Sequence, residues 1–420
     1  MVPKLNISSL LAGLLLLYSP LSSACPGEES YSNLDIRTVI TSNIAARQAS
    51  HATHHIPRQE PTKLAIDNVR VFNGYSLSDA RTVVIKGSQI TDEDCQGAHH
   101  IDGRGASLFP GFIDAHIHPQ NATHLHQLTR YGVTTGFAMS CIEPQLCASL
   151  QNHRGLVNLL ITSCPGTTSE TQIGKILSKI DPSLIIHNIS QVPAWFDRQL
   201  SGDPDYFKLI ADPVGLSQEE LTALGKLAHA RGKKIAIHAV DNKGYEQAIV
   251  AGLDHIQHAP LDKKLSRDTA RRIARNGLTS TPTLTMMRAT AQKISQGGGV
   301  RGEEAFKYAL ESVSTMHKVG VPILAGTDAN EQAGVPAMVP FGSSIHAEMA
   351  NLVEAGMSNV EALRAATVVP ARHFGLRDRG EVVAGMLADL VLIEGNPLEN
   401  IKDTQKIVKV WVGGVEYTGQ

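Results

Sequence analysis

PGFIDAHIHP, residues 110–119, is the stretch on which the expected fold and site depend. Its apolar residues predict a buried strand. Side chains alternate between the two faces of a strand, so Asp114, His116 and His118 are expected to point the same way. Two imidazoles about 7 Å apart along one strand can bind the same metal ion. A second His-x-His pair at 124–126 lies in a predicted helix, where residues two apart diverge and cannot share an ion.

The centre of the chain alternates short apolar segments with amphipathic helices, a pattern typical of parallel sheets. We expect strands at eight places: residues 111–118, 133–139, 156–162, 206–210, 234–240, 255–258, 280–284 and 322–328. Two of the helices begin at capping boxes, Ser217 with Glu220 and Ser358 with Glu361. Eight strands, each followed by helical or loop sequence, predict an α/β fold with a (β/α)8 TIM barrel over residues 110–376.

The sequence pattern on the two flanks of this predicted barrel is different. Residues 63–109 and 377–420 contain short strand-like segments separated by turn residues, which predicts a small β-sandwich domain assembled from the N- and C-terminal flanks. Residues 25–62 are polar without periodicity and indicate an irregular N-terminal arm, with a histidine-rich metal site as the alternative. Residues 1–24 combine a basic start, an apolar core and a small-residue cleavage site, so they predict a signal peptide and a secreted protein.

Composition restricts the classes of partner. The formal net charge is −2, and it becomes one unit more negative when the leader with Lys4 is removed. Such a balance argues against nucleic-acid binding and against attachment to a membrane surface. Aromatic residues make up only 5% of the chain, which disfavours a stacking platform. A small-molecule substrate is the expected partner, and a homo-oligomer stays open.

The cysteines and sequons fit the expected secretion. Cys141 and Cys147 are spaced to close a short disulfide loop, while the odd count of five cysteines leaves one thiol or an intermolecular pair. Asn121 and Asn188 lie in glycosylation sequons, so a secreted eukaryotic product is expected to be a glycoprotein.

Further polar residues fall where the predicted strands end, which is where TIM barrels carry their chemistry. Lys208, His238, His258 and Asp328 lie 90, 30, 20 and 70 residues apart in order from His118, so they fit strands four, five, six and eight. A lysine in an apolar strand is costly to bury in its charged form, and a neutral or chemically capped amine removes that cost.

Each of these residues has a structural alternative when taken alone. His238 could be a satisfied core histidine and Asp328 a helix cap, but the set as a whole predicts a metal site. His187, Arg288 and His346 lie on loops or helix starts after strands and are the candidates for substrate contact, against a solvated or structural role for each.

The motifs PGFIDAHIH, YFKLI, IAIHA, GLDHIQHAP, AGTDA and GMLADLVLIEGNPL occur in this order between residues 64 and 417. In this the chain resembles the metal-dependent amidohydrolase superfamily, and in particular its imidazolonepropionase-like branch. Fungal ochratoxinase-type amidases and Xaa-Pro or Xaa-Arg dipeptidases are similar to it.

The resemblance implies a ligand set of six residues: His116, His118, Lys208, His238, His258 and Asp328. It implies that the first two histidines and the aspartate bind the more buried Zn²⁺ ion, and that the later two histidines bind a second one. The lysine, carboxylated on its amine by CO2, bridges the two ions if both are present. The aspartate also handles the proton.

We therefore expect an enzyme that uses metal-activated hydroxide to cleave an amide, cyclic amide or peptide-like C–N bond. The substrate would be a small molecule such as an N-acyl amino acid, a dipeptide or a secondary metabolite. The same barrel could instead act on a lactone, or catalyse deamination, decarboxylation or dehydration. A secreted binding protein without activity is the remote alternative. Val240 and Gln257 depart from the residues common in the family and leave the substrate open.

Overall fold

The structure, a computed structural model, describes residues 63–296, 302–331, 335 and 337–419. The predicted signal peptide of residues 1–24 and the predicted arm of residues 25–62 lie outside the described residues. The described part is a mixed α/β fold, which confirms the expected fold class at that level.

The described strands are numbered in chain order. They are β1 (Lys63–Phe72), β2 (Leu77–Lys86), β3 (Gln89–Thr91), β4 (His99–Asp102), β5 (Ser107–Pro110), β6 (Phe112–Ile117), β7 (Val133–Ala138), β8 (Asn158–Ile161), β9 (Phe207–Ile210), β10 (Ile235–His238), β11 (His255–Gln257), β12 (Thr279–Thr281), β13 (Leu390–Ile393), β14 (Ile407–Val412) and β15 (Val415–Glu416).

The two flanks of the chain meet in a single sheet of eight strands, called the terminal sheet below. Its order is β15-β14-β13-β5-β1-β2-β3, and β4 pairs with β1. Antiparallel pairing of β13 with β5 joins the C-terminal strands to the N-terminal ones. Because β5 pairs with β13 on one edge and with β1 on the other, the strands form one hydrogen-bonded sheet. The predicted β-sandwich is therefore not confirmed.

The central strands form two parallel sheets, with the orders β6-β7-β8 and β12-β11-β10-β9. Parallel pairing places the carboxyl ends of neighbouring strands at the same edge. In the second sheet, His238 at the end of β10 is the register partner of Gln257 at the end of β11, and Lys208 in β9 pairs with Ala236. His238 and Gln257 thus lie at the carboxyl edge of this sheet, whereas Lys208 lies within β9, two register positions earlier.

Isolated parallel bridges extend beyond these two sheets. They pair Thr162 with Tyr206, Gly166 with Leu209, Ser280 with Ile323 and Ile117 with Ala329. The first two connect the chain after β8 to β9 and its preceding residue, and the last two connect the segment 323–329 to β12 and to β6. The eighth expected strand is present only as these bridges in the described part of the chain.

Helices follow most of the central strands. They are α1 (Ala122–Arg130), α2 (Pro144–Ser149), α3 (Gln172–Ile180), α4 (Val192–Leu200), α5 (Gln218–Ala230), α6 (Asn242–Ala251), α7 (Arg267–Arg275), α8 (Leu284–Gln296), α9 (Gly302–Lys318), α10 (Ser343–Glu354), α11 (Asn359–Ala365) and α12 (Val368–His373). Both predicted capping boxes are confirmed, at the starts of α5 and α11. The second His-x-His pair lies in α1, as the sequence predicts.

The described part contains four clusters of buried apolar residues, and two of them distinguish its main regions. The larger one packs the central parallel strands against the helices, and it includes Phe112, Phe207 and Ile237. A smaller one lies under the terminal sheet and includes Leu390 and Trp411. No helix within the described residues has both the length and the apolar composition needed to cross a membrane.

The cysteine prediction can be checked for four of the five residues. Cys141 and Cys147 form a disulfide, which confirms the expected short loop. Cys95 is also disulfide-bonded, and Cys164 is free and buried. Burial raises the pKa of the Cys164 thiol to about 12, so it is protonated and unreactive at neutral pH.

Candidate metal centre

The end of β6 brings the first two predicted ligands together. His116 lies in the strand and is 1% exposed, while His118 follows the strand directly and is partly exposed. Their Nε2 atoms are 3.2 Å apart. The strand therefore directs both imidazoles into the same small volume, as the alternation of side chains predicts.

Asp328 reaches the same volume from the segment that bridges to β6. Its Oδ1 lies 2.9 Å from His118 Nε2 and 3.5 Å from His116 Nε2. The backbone N–H of Asp328 donates to the carbonyl of His116 over 2.8 Å. At Gly326, a Cβ would lie 3.0 Å from the His116 nitrogen and 2.4 Å from Thr281 Cγ2, so only glycine permits this close approach.

Among the described residues, these three have donor atoms close enough together to hold a metal ion. One donor atom from each of His116, His118 and Asp328 lies within 4.8 Å of the others. Two imidazole nitrogens and a carboxylate oxygen are suitable zinc ligands, and three protein ligands leave a coordination position open for water or substrate.

The backbone of Asp328 is held in an unusual conformation. Its φ is 57°, which is left-handed and uncommon outside glycine. The side chain of Asn330 donates to the Asp328 carbonyl over 2.7 Å. On the other side, Thr327 Oγ1 accepts a hydrogen bond from the backbone N–H of Ala329. Such strained conformations persist where surrounding contacts fix them, and they cluster at functional sites.

Asp114 shares the strand face with the two histidines but has a different task. Its Oδ1 accepts from the Thr327 backbone N–H over 3.0 Å, and its Oδ2 accepts from Thr327 Oγ1 over 2.7 Å. Burial raises the pKa of Asp114 to about 7, although these hydrogen bonds oppose the shift. Asp114 thus fixes the backbone that carries Asp328, a link through Thr327 that the sequence analysis did not predict.

Gln257 orients His116. The ring N–H at Nδ1 of His116 donates to Gln257 Oε1 over 2.8 Å in the buried interior. This contact leaves Nε2 of His116 unprotonated and directed at His118 and Asp328, which is how a second residue prepares a histidine for metal binding. Gln257 was expected to affect the substrate through the pocket, whereas the structure shows it bound to a ligand candidate.

His238 and His258 lie next to this group. Their ring centroids are 4.4 Å apart, and the His258 ring is 4.8 Å from that of His116. His258 Nδ1 is 2.8 Å from Thr283 Oγ1 and 3.8 Å from Asp328 Oδ2. Thr283 was not predicted, because nothing in its local sequence marks it.

Burial keeps these imidazoles neutral, the form in which histidine binds metals. It lowers the pKa of His238 to about 3, and the charge of Lys208 adds to the effect. The pKa values of His116 and His258 are also held well below the usual range, again chiefly by burial.

Lys208 is the least ordinary member of the cluster. It is 3% exposed, and its Nζ has no hydrogen-bond partner among the described residues. Burial lowers the pKa of the Lys208 amine to about 7, while the charge of Asp328 opposes that change. An unpaired, partly neutral amine beside neutral imidazoles is costly unless another group completes the site. These residues fit a metal ion and a capped lysine.

The three candidates for substrate contact have their described contacts with residues outside the ligand set. His187 is exposed, and its backbone N–H donates to Gln191 Oε1. Arg288 lies 4.1 Å over the ring of Phe306 and pairs with Glu354. None of the contacts described for these residues involves a ligand candidate.

His346 is also separate from the cluster. It is 2% exposed, and its ring packs edge-on against Phe112 at 5.8 Å and Tyr131 at 6.1 Å. Phe112 opens β6, whereas the ligands lie at the other end of that strand. Burial lowers the pKa of His346 to about 4. A role of His187, Arg288 or His346 in substrate binding stays a prediction.

Comparisons with known proteins agree with this architecture. The model of the amidohydrolase family matches residues 210–416, a range that includes His238, His258 and Asp328. An adenine deaminase of Halalkalibacterium halodurans is 23% identical over 349 residues, covering 80% of this chain and 55% of that protein. The chain thus spans about half the length of this relative.

Solved structures show the same fold over most of the chain. A Xaa-Pro dipeptidase with methionine bound in its active site has a TM-score of 0.73 and 21% identity, covering 85% of this chain and all of that one. The ochratoxinase of A. niger has a TM-score of 0.70 and 18% identity, covering 86% and 97%. Residues 210–416 thus match the amidohydrolase family, and the chain shares the fold of these dipeptidase and ochratoxinase structures.

Proposed function

We propose that this protein is a metal-dependent hydrolase that cleaves an amide, cyclic amide or peptide-like C–N bond of a small molecule. The observation that carries the proposal is the convergence of His116, His118 and Asp328, whose donor atoms lie within 4.8 Å of one another. The family match and the dipeptidase and ochratoxinase folds support the same class of reaction.

The proposed occupant is Zn²⁺, with one or two ions per chain. Six residues would hold it: His116, His118, Lys208, His238, His258 and Asp328. We propose that Lys208 is carboxylated on its amine, which would convert an unpaired buried nitrogen into a bridging carboxylate. Bound zinc would supply activated water at neutral pH and polarise the scissile carbonyl.

The protein's own residues would position and move the proton. Gln257 keeps the His116 ring in one tautomer, and Asp114 holds Thr327 and through it the strained backbone of Asp328. The Asp328 carboxylate is then placed to accept a proton from the attacking water and to deliver it to the leaving amine.

We propose further that the two parallel sheets and the segment 323–329 form one closed (β/α)8 barrel. The parallel bridges from β12 to Ile323 and from Ile117 to Ala329 support closure, as does the bridge from Thr162 to Tyr206 between the two sheets. In such a barrel the site would lie at the carboxyl ends of the strands, where barrel enzymes carry their chemistry.

Secretion remains part of the proposal. It is supported by the leader-like sequence of residues 1–24 and is compatible with the disulfide between Cys141 and Cys147. The expected partner is a small-molecule substrate, without nucleic acid or membrane, and a homo-oligomer stays open.

Deamination is the second candidate. The adenine deaminase of H. halodurans matches over 80% of this chain, and deamination also breaks a C–N bond by adding water. The two reactions differ in the leaving group, because deamination releases ammonia whereas amide hydrolysis releases an acid and an amine.

The test is product analysis on the full secreted chain loaded with zinc. N-acyl amino acids, dipeptides, cyclic amides and adenine would each be incubated and analysed by mass spectrometry. The proposal predicts that water is added across the C–N bond of at least one amide, with separation of an acid from an amine where the amide is not cyclic. Turnover by Asp328→Asn should be lower by about 10²–10⁴-fold. Release of ammonia from adenine alone would favour deamination, and no turnover of any compound by metal-loaded protein would contradict both.

A further inference from the structure

A small cavity opens beside His118, on the side of the cluster that faces β7 and β8. Its volume is about 80 Å³. It is lined by His118, Pro119, Gln120, Ala138, Ser140, Ile142, Glu143, Leu146, Cys147, Leu150, Leu159 and Ile161. Because one wall is a metal-ligand candidate, a group held here would lie directly next to the reacting bond.

The walls of the cavity are mostly apolar. The ends of β7 and β8 contribute Ala138, Leu159 and Ile161, and the chain that follows β7 contributes Ile142 and Leu146. Leu146 is 38% exposed although it is a large apolar side chain. Burying a substrate's apolar group against these side chains would gain binding free energy in proportion to the area covered.

The disulfide shapes one side of this cavity. Cys141 and Cys147 are bonded, and they bracket the residues 142–146. Cys147 itself lines the cavity beside Leu146. Helix α2 carries Leu146 and Cys147. It has only six residues and no side-chain hydrogen bond at its N-cap, so its own hydrogen bonds stabilise it weakly. The crosslink therefore limits how far this wall can move.

The charge at the cavity selects against anions. Its lining contains no lysine or arginine, and its one acidic residue, Glu143, is exposed. A substrate carboxylate at the end of this cavity away from His118 would meet the charge of Glu143 and find no lysine or arginine in the lining to pair with. The carboxylate-bearing half of an N-acyl amino acid is thus disfavoured, whereas an uncharged acyl chain fits.

We propose that this cavity, with its disulfide-closed wall, binds the short apolar acyl group of the substrate and so determines specificity. The assignment of the acyl half rests on the proposed amide hydrolysis. The presence of an apolar, anion-rejecting subsite beside His118 rests on the cavity itself.

The probes are hydroxamic acids, which bind zinc through their head group and do not need to be hydrolysed. Acetohydroxamic, butyrohydroxamic and hexanohydroxamic acids would be titrated calorimetrically into the zinc-loaded full chain. Affinity is expected to rise about fourfold per added methylene until the cavity is filled. Succinic monohydroxamic acid, which ends in a carboxylate, is expected to bind more weakly than butyrohydroxamic acid.

Two variants, one of them a double substitution, test the cavity wall formed by α2. Leu146→Arg should flatten the rise with chain length and tighten the binding of succinic monohydroxamic acid, because it replaces an apolar side chain by a cation. Ile176→Arg is the matched control, since Ile176 is 43% exposed on α3 and does not line the cavity. The paired change of Cys141→Ser and Cys147→Ser should reduce the chain-length preference without removing zinc.

The outcomes separate the cavity from the reaction. Binding by the zinc-loaded chain that is independent of chain length would overturn the subsite, because an apolar cavity favours longer chains until it is filled. Equal effects of Leu146→Arg and Ile176→Arg would also overturn it. Chain-length-dependent binding by a protein that hydrolyses no amide would retain the subsite and contradict the proposed hydrolysis.

Discussion

The terminal sheet and the carboxyl ends of the parallel strands bury different kinds of side chain. The core cluster under the terminal sheet is apolar, with Leu390 and Trp411 fully buried. At the strand ends, His116, Lys208 and His258 are each at most 3% exposed. Burying apolar surface stabilises the fold, whereas burying amines and imidazoles costs stability unless they are paired.

This difference separates two tasks within one chain. The terminal sheet buries mainly apolar side chains, with Trp411 Nε1 unpartnered among the described residues and Asn68 at a φ of 53° as its exceptions. The strand ends instead gather several buried polar groups in one place. Asp328 and His258 both have positive φ values, and Lys208 has no hydrogen-bond partner among the described residues. Local exceptions of this kind are expected at functional sites, where other parts of the fold compensate for their cost.

Asp328→Asn should have the largest effect, because it changes the chemistry at the strand ends without changing the terminal sheet. The amide keeps the size and one oxygen ligand but cannot accept the proton, so turnover should fall about 10²–10⁴-fold while zinc stays bound. Steady-state kinetics and metal analysis on the same preparation would measure this. A fully active variant would refute the proton role.

A substitution in the terminal sheet should instead affect stability and leave the metal site unchanged. Leu390→Ala removes a fully buried side chain from its core and should lower the free energy of unfolding by about 2–5 kcal/mol, with zinc affinity unchanged. Urea denaturation would measure the loss. Val408→Ala, at a 52% exposed position of the same sheet, is the control and should change stability by less than about 0.5 kcal/mol. A loss of zinc affinity in Leu390→Ala would show that the two regions are coupled.

Gln257→Leu tests whether Gln257 fixes the tautomer of His116 for metal binding. Without the acceptor at 2.8 Å, His116 loses its fixed tautomer, so zinc affinity should fall about 10–100-fold. Gln257→Glu keeps an acceptor there and should retain most of the affinity. Competition with a chelator would measure both variants, and equal affinities for Leu and Glu would contradict the orienting role.

Glu348, a buried carboxylate outside the cluster, allows a test by pH. It accepts from the backbone N–H groups of Leu284 and Thr285 at the start of α8. Burial nevertheless raises the pKa of Glu348 from 4.5 to about 7. The folded state then keeps a proton that the unfolded state loses, so stability should fall as the pH rises from about 4.5 to about 7 and level off above.

Glu348→Gln should remove this component, because the amide does not titrate. Urea denaturation of both proteins at several pH values across that window would show it. An identical slope in the two proteins would mean that Glu348 titrates normally.

Much of the site was accessible from the sequence. The alternation of side chains in β6 predicted the convergence of His116 and His118, and the capping boxes at Ser217 and Ser358 predicted two helix starts. These signals are local, because strand alternation and capping depend on residues only a few positions apart. The regular spacing of strands added Asp328 to the set.

The remainder depended on contacts between distant residues. Nothing near Thr327 or Thr283 indicates that they bond to Asp114 and His258, and the link from Gln257 to His116 spans 141 residues. The β-sandwich was predicted from strand content alone, which does not specify that β13 pairs with β5 and so joins both flanks in one hydrogen-bonded sheet. Pairing partners across a sheet are set by tertiary packing.

The central claim is that the buried polar cluster, with Lys208 as a member, binds metal. The most direct test is the zinc content of the full chain purified without added metal, compared with that of Lys208→Ala and of Lys226→Ala, whose lysine is exposed on α5. The account predicts one to two equivalents of zinc in the wild type and in Lys226→Ala, and a reduced content in Lys208→Ala. No zinc in the wild type, even after soaking with zinc and bicarbonate, would contradict it.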